Sequence, residues 1–270
     1  MPRWEDACYM KWGNSSRPDP KSARKQDIGR FEITKRDGQA RLGLLHTNHG
    51  VLETPCLLPV INPNIRTIEP REMYDKYGIN ALITNSYVIW KHDHLKEEAL
   101  ENGVHKLLDF PGVIMTDSGT FQSYVYGDVE VGVEDIVSFQ CDIGVDIATM
   151  LDVFTRPDMT YEQVSEAVDE TIDRAKISID IAQETLLNGP IQGGLFPELR
   201  AKSAVKMSNM PFSVHPIGGI VPIMENQKYK DLAKIMLVCK SNLLPDDRRE
   251  VEEGHGHDPV VAIPDCANYG

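Results

Sequence analysis

The stretch Val113-Ile-Met-Thr-Asp-Ser-Gly-Thr-Phe-Gln122 brings a carboxylate, an aromatic ring and an amide close together in sequence. An apolar run delivers Asp117, the small residues Ser118-Gly119-Thr120 make a tight turn, and Phe121 and Gln122 follow. A carboxylate placed this way can accept hydrogen bonds, carry a proton or attack an electrophilic carbon. Phe121 can stack on a planar base, and Gln122 can read its edge or brace the loop. The same residues fit a plainer role, with Asp117 capping the turn and Phe121 in the core. Residue types alone leave both open.

The pattern of an apolar segment closed by polar or glycine residues recurs along the chain. Asn62, Asn85, Asp117, Asp152, Gln192 and Gly218-Gly219 each follow such a segment. The segments read as strands over Thr54–Val60, Ala81–Asn85, Val113–Thr116, Ile147–Leu151, Pro190–Gln192 and Phe212–Pro216. Longer helical stretches separate them, the signature of a repeated β-α unit. Thr160 and Gln163 form a capping box that opens a helix. An apolar stripe then runs through Val164, Val168, Ile172, Ala175, Ile179, Ala182 and Leu186, with Asn188-Gly189-Pro190 as the stop. A second helix is predicted from Met224 to about Cys239. In a β/α barrel the C-terminal strand ends converge on one face, and that face holds the site. An open doubly wound sheet also gathers ligands there. No G-x-G-x-x-G or G-x-x-x-x-G-K-[ST] loop is present, so a (β/α)8 TIM-type barrel is favoured.

At 270 residues, 41% hydrophobic and 26% charged, the chain can bury one large α/β core. No apolar run is long enough to cross a bilayer, and the first residues lack a secretory apolar stretch, so the expectation is a cytoplasmic protein without a membrane partner. The five cysteines are scattered without a C-x-x-C pair and read as reduced core residues. The net charge of −13 argues against broad non-specific nucleic-acid binding. It is uneven: residues 1–41 carry a net +4 and the remainder −17. An RNA partner would need a local basic surface.

MTDSGTFQSYVYGDVEV resembles the corresponding segment of archaeal tRNA-guanine transglycosylases. HGVLETPCLLPVINPN, ALITNSYVIW and GVHKLLDFPG upstream are similar to family segments in the same order. IVSFQCDIGVDIATMLDVFT, GPIQGGLFPELR and HPIGGIVPIMENQKYKDL continue the likeness downstream. The resemblance implies exchange of guanine 15 in tRNA for 7-cyano-7-deazaguanine, toward archaeosine, by double displacement at ribose C1′ and without an ATP or redox cofactor. It gives Asp117 the proton-handling role at the departing and arriving base, with nucleophile as the competing assignment. It gives Phe121 the stacking role, Asp152 the reading of the base's Watson–Crick edge, and Gln192 the base carbonyl. Gly219 matches a position whose backbone contacts the base. The implied partners are tRNA and the modified-guanine base, with a homodimer or partner subunit besides.

Three divisions are expected: a flexible polar extension over 1–28, the catalytic barrel over 29–243, and a shortened, atypical barrel end over 244–270. The end departs from the family pattern. Asp246-Asp-Arg-Arg-Glu-Val-Glu-Glu253 carries too many charges for an inner barrel strand. Ile263-Pro-Asp-Cys-Ala-Asn-Tyr269 resembles the segment bearing the covalent nucleophile and nominates Asp265, with only five residues between it and Pro259. The barrel is therefore expected to be incomplete at its C-terminal strands. The family's structural zinc cluster has no counterpart before Gly270, so no metal is expected, and His255 and His257 read as solvated. The same end fits a non-catalytic relative that binds base, tRNA or an active partner subunit.

Overall fold

The computed structural model of the chain describes residues 18–38, 40–120, 131–243 and the backbone of 260–262. Three antiparallel strands come first, β1 (Phe31–Asp37), β2 (Ala40–Thr47) and β3 (Gly50–Thr54). Seven strands then form one parallel sheet in chain order: β4 (Val60–Ile61), β5 (Ala81–Asn85), β6 (Val113–Asp117), β7 (Ile147–Thr149), β8 (Leu186–Asn188), β9 (Val214–Pro216) and β10 (Val260–Ala262). The helices between them are α1 (Pro70–Tyr77), α2 (Ser86–Lys91), α3 (Asp93–Asn102), α4 (Val104–Leu108), α5 (Val133–Asp142), α6 (Tyr161–Ala182), α7 (Pro197–Ser208), α8 (Val221–Glu225) and α9 (Tyr229–Asn242). A doubly wound sheet reverses its strand order at a switch point. This one never reverses, which is the winding of a β/α barrel, since right-handed crossovers then put every helix on the same side. Among the described residues β4 and β10 are the two edges of the sheet.

Alternation along the strands sorts the core into two layers. Leu82, Ile114 and Ala148 point toward the helices and join the main cluster with Val137, Val164, Val168 and Leu199. Their neighbours Ala81, Val113, Met115 and Ile147 point the other way and pack against Phe31, Leu45 and Leu52 of the antiparallel sheet. The first three strands therefore plug the N-terminal end of the parallel sheet and leave its C-terminal end for a site. Each buried Leu, Ile or Phe in that plug contributes about 1.5–3 kcal/mol. Residues 18–28, read as part of the polar extension, lie against this end: Tyr74 Oη donates to the Pro18 carbonyl at 2.8 Å, and Arg71 pairs with Asp19 at 2.9 Å.

The Thr160–Gln163 capping box is present in both directions, and α6 starts where the sequence places it. Several boundaries differ from expectation. Pro55 and Pro59 cannot donate to a ladder, and the strand expected over Thr54–Val60 is instead an irregular link, residues 55–59, between the end of β3 and the start of β4. Helix α6 stops at Ala182, where Gln183 takes a φ of 48°. Leu186 continues the helical spacing by coincidence; it is the first residue of β8 and packs with the plug. The strand expected at Pro190–Gln192 is thus β8, four residues earlier, and Ile191 keeps only an isolated parallel bridge to Ile217. The expected helix Met224–Cys239 is two helices broken at Gln227, whose φ is 54°. Cys239 is buried and Cys141 half-buried, but Cys56 is exposed and so is not a core residue.

The plug is locked by a buried carboxylate at the start of β7. Asp146 Oδ1 accepts the backbone N–H of His49, at 2.9 Å, and faces its Nδ1 at 3.1 Å. Its Oδ2 accepts the Ile114 N–H at 2.9 Å and faces His105 Nε2 at 3.2 Å. Two histidines and an aspartate are a common metal-ligand composition. Here the two rings stack, with centroids 3.5 Å apart and 26° between planes, so their in-plane nitrogen lone pairs run side by side and do not converge on one ion. The trio joins the β2–β3 turn, α4 and β7 as a charge lock. Burial opposes the charge on Asp146, but the two histidines outweigh it and hold its carboxyl far below the usual carboxylate range. A depressed carboxyl stabilises the fold above its unfolded pKa, near 3.9, and this contribution is lost as the pH falls below that value. Asp146→Asn is expected to cost about 3–5 kcal/mol at neutral pH, because its amide would set a donor against donors already in place. It should also flatten the acid limb of the stability profile. Urea denaturation from pH 2.5 to 8 measures both, and a loss below about 1 kcal/mol would sink the lock.

Candidate active site

The C-terminal strand ends bring together four of the six residues singled out from sequence. Asp117 ends β6, Asp152 follows β7, Gln192 follows β8 and Gly219 follows β9. Phe121 and Asp265 lie outside the described residues, as does Gln122.

Asp117 is partly buried, and its surroundings are built by β5 and α2. Asn85 accepts the Val88 N–H at 2.9 Å, capping α2, and donates through Nδ2 to Asp117 Oδ2 at 3.3 Å. Ser86 Oγ donates to the Asp117 carbonyl at 2.7 Å. Gly119 has a φ of 87°, and a Cβ there would lie 2.3 Å from Tyr87 Cβ, so the turn after Asp117 requires glycine. Burial, and after it the negative charge of Asp152, raise the Asp117 carboxyl to about 6. The N–H groups of Gly119 and Ser118 pull it back only in part.

Asp152 is buried, and burial raises its carboxyl as well. Gln192 Nε2 donates to Asp152 Oδ2 at 2.5 Å, and Thr120 Oγ1 donates to the Asp152 carbonyl at 3.3 Å. Helix α6 braces the same loop, with Arg174 reaching the Asp152 carbonyl at 3.4 Å and Thr171 Oγ1 accepting the Val153 N–H at 3.0 Å. Gln192 is fully enclosed. Its Oε1 accepts from Thr155 Oγ1 at 2.6 Å and from the Thr155 N–H at 3.3 Å. The amide therefore cannot turn over without breaking contacts at both ends. Gly219, at φ 68°, lies so close that a Cβ would stand 2.6 Å from the Thr155 carbonyl and 3.2 Å from Gln192 Oε1.

Sequence reasoning missed two residues that hold this arrangement. Arg200, on α7, is buried without a carboxylate partner among the described residues and donates to three carbonyls: Ile191 at 2.7 Å, Gly218 at 2.8 Å and Gly194 at 3.0 Å. Burial lowers its guanidinium to about 10. A signal existed, because Arg200 shares the buried helix face of Ser203, Ala204 and Met207. Thr155 carried no signal; it is a threonine in a loop of mixed polarity.

A parallel sheet wound in one direction, with its polar groups gathered at the strand ends, defines an α/β protein of the barrel-wound class. The chain belongs to the queuine tRNA-ribosyltransferase family, whose model matches residues 36–263. It is 46% identical over 234 residues to a tRNA-guanine(15) transglycosylase of Methanopyrus kandleri, covering 87% of this chain and 50% of that protein. The likeness to the same-named protein of Methanosarcina barkeri is 47% over 234 residues, covering 86% and 47%. That of Thermoplasma acidophilum is 48% identical over 213 residues, covering 79% and 33%. The chain thus spans half or less of the length of these relatives. Among the described residues no helix is long and apolar enough to cross a membrane.

Asp117 yields a test that needs no substrate. Its folded carboxyl holds a proton up to about pH 6, whereas the unfolded chain releases it near 3.9. Ionisation therefore costs nothing at pH 3.5 and penalises the fold increasingly between about 4 and 6. Asp117→Asn should be neutral at pH 3.5 and stabilising by about 2–3 kcal/mol at pH 7.5. Equal unfolding midpoints at pH 7.5 would show that the carboxyl is not raised in the folded chain.

Proposed function

We propose that the chain exchanges guanine in tRNA for a modified guanine, at position 15 as the relatives' name suggests and with 7-cyano-7-deazaguanine as the incoming base that the sequence resemblance implies. The observation that carries this reading is the fixed Gln192–Asp152 pair. With Oε1 committed to Thr155 and one Nε2 hydrogen to Asp152, the amide has one donor left, beside a carboxylate that can still accept. A donor next to an acceptor fits the O6 and N1–H of a guanine-like edge. Adenine presents the reverse pattern, a donor opposite the amide donor. Enzymes that act on a base read this edge once the nucleotide leaves the stack. The Gly219 backbone is assigned a contact with the base, and Phe121 the stacking face.

The chemistry follows a double displacement of the retaining-glycosidase kind, with a base in place of water. Asp265, three residues after β10, is assigned the nucleophile. Its carboxylate forms a bond to ribose C1′ as the C1′–N9 bond breaks, and guanine leaves with a proton from Asp117. The incoming base returns its proton to Asp117 as it attacks C1′ and releases Asp265. A carboxyl raised to about 6 suits a group that must give and take a proton near neutral pH, and suits a nucleophile less, since a nucleophile must be ionised. Asp117 as the nucleophile is the competing assignment.

The full chain mixed with a tRNA transcript bearing guanine 15 and labelled guanine is expected to incorporate label. Asp117→Ala and Asp265→Ala should each lower incorporation about 10²–10⁴-fold. An RNA adduct stable to denaturation should disappear in Asp265→Ala and persist in Asp117→Asn. Absence of incorporation by the unmodified chain overturns the function, and an adduct that depends on Asp117 alone exchanges the two roles.

A further inference from the structure

Thr155 stands at the centre of a one-way relay of hydrogen bonds behind the base-reading pair. Its Oγ1 accepts the N–H of Gly194 at 3.1 Å and that of Gly193 at 3.4 Å. A hydroxyl whose lone pairs face two N–H donors has one direction left for its own hydrogen, and that direction leads to Gln192 Oε1 at 2.6 Å. The Thr155 N–H, which can only donate, reaches the same oxygen at 3.3 Å. Gln192 Oε1 is thereby fixed as the carbonyl end, and Nε2 is fixed toward Asp152. The relay is anchored at its far end by Arg200, which holds the carbonyls of Ile191, Gly194 and Gly218. Thr155 and Gln192 are fully buried, so water does not compete for these contacts.

We propose that Thr155 is the positioning residue that sets base selectivity, by fixing which end of the Gln192 amide faces the ligand. This rests on the reading of Gln192 and Asp152 as the groups that meet a guanine-like edge. A glutamine amide is chemically two-faced, and its two ends are nearly the same shape. Turned over, it would place a carbonyl where a purine O6 should accept, and the pair would favour an adenine-like edge. Discrimination between the two therefore depends on what holds the amide, and that is a hydroxyl that touches no substrate. Serine keeps the hydroxyl; valine keeps the shape and loses the relay, leaving the Gly193 and Gly194 N–H groups without their acceptor.

Two measurements test this, one of them independent of catalysis. In the full chain labelled with ¹⁵N at glutamine, the Gln192 side-chain amide protons are expected to exchange slowly in the unmodified protein and in Thr155→Ser. They should exchange at least about tenfold faster in Thr155→Val, in which the amide is free to reorient. In base exchange, Thr155→Val should raise the KM for guanine and lower the preference for guanine over adenine by about tenfold or more, with kcat changed much less; Thr155→Ser should restore both. A Val variant with unchanged amide protection, or with unchanged selectivity in an active protein, overturns the proposal. If the unmodified chain exchanges no base, the proposed function fails and the amide exchange alone decides whether Thr155 fixes Gln192. If Thr155→Val does not fold, Thr155→Ala at the same two readouts replaces it.

Discussion

The contact between the Gln192 amide and the Asp152 carboxylate is the constraint around which the C-terminal face is arranged. An amide and a carboxylate enclosed together must satisfy one another, because an unpaired polar group in that setting costs roughly 1–3 kcal/mol or more. Four elements converge to make the pairing. The loop after β7 supplies Asp152 and Thr155, the loop after β8 supplies Gln192, α6 braces the first loop, and Arg200 of α7 ties the second loop to the glycines after β9. Gly219 cannot be anything larger, since the Thr155 carbonyl occupies the space of its Cβ. Shape, hydrogen bonding and backbone conformation all answer to a single pair of side chains.

The two ends of the parallel sheet divide the labour between stability and chemistry. At the N-terminal end one carboxylate, Asp146, is buried with two histidines and two backbone N–H groups, and its charge is favoured. At the C-terminal end two carboxylates, Asp117 and Asp152, are brought toward one another, and both resist ionisation. The same functional group therefore stabilises the fold at one end and strains it at the other. Strain of this kind persists only where the surrounding structure over-determines it. The plug formed by the first three strands supplies part of that surplus, through Phe31, Leu45 and Leu52 against the strand starts.

What the sequence made legible follows from which signals are local. Asp117 could be read because an apolar strand and a glycine turn flank it on a single short stretch. Strand β5 and the start of α6 were legible for the same reason, one by its short apolar run and the other by its capping box. The three-stranded plug was not read, because it belongs to the antiparallel pairing of neighbours and not to the β-α repeat. The end of α6 was misplaced because Leu186 satisfies a helical stripe and a buried strand equally well. Thr155 and Arg200 act through contacts between loops far apart in sequence, and neither carries its partner's identity beside it. The resemblance found the groups assigned to meet a base; it did not find those that hold them.

A raised carboxyl near a fixed amide–carboxylate pair also bears on which step each group would serve in the proposed reaction. Asp152 must accept from Gln192, so its proton affinity is limited by a hydrogen bond that favours the charged form. Asp117 is helped by two backbone N–H groups and a 3.3 Å contact from Asn85, and there too burial prevails. Two carboxyl groups at one end of the sheet are thus both raised by burial, each countered by a different set of partners. Under the proposed function, delivering a proton to a departing base and recovering one from an arriving base needs a carboxyl that can hold it near neutral pH. In the proposed reading Asp152 accepts from the ligand, while Asp117 carries the proton between the two bases.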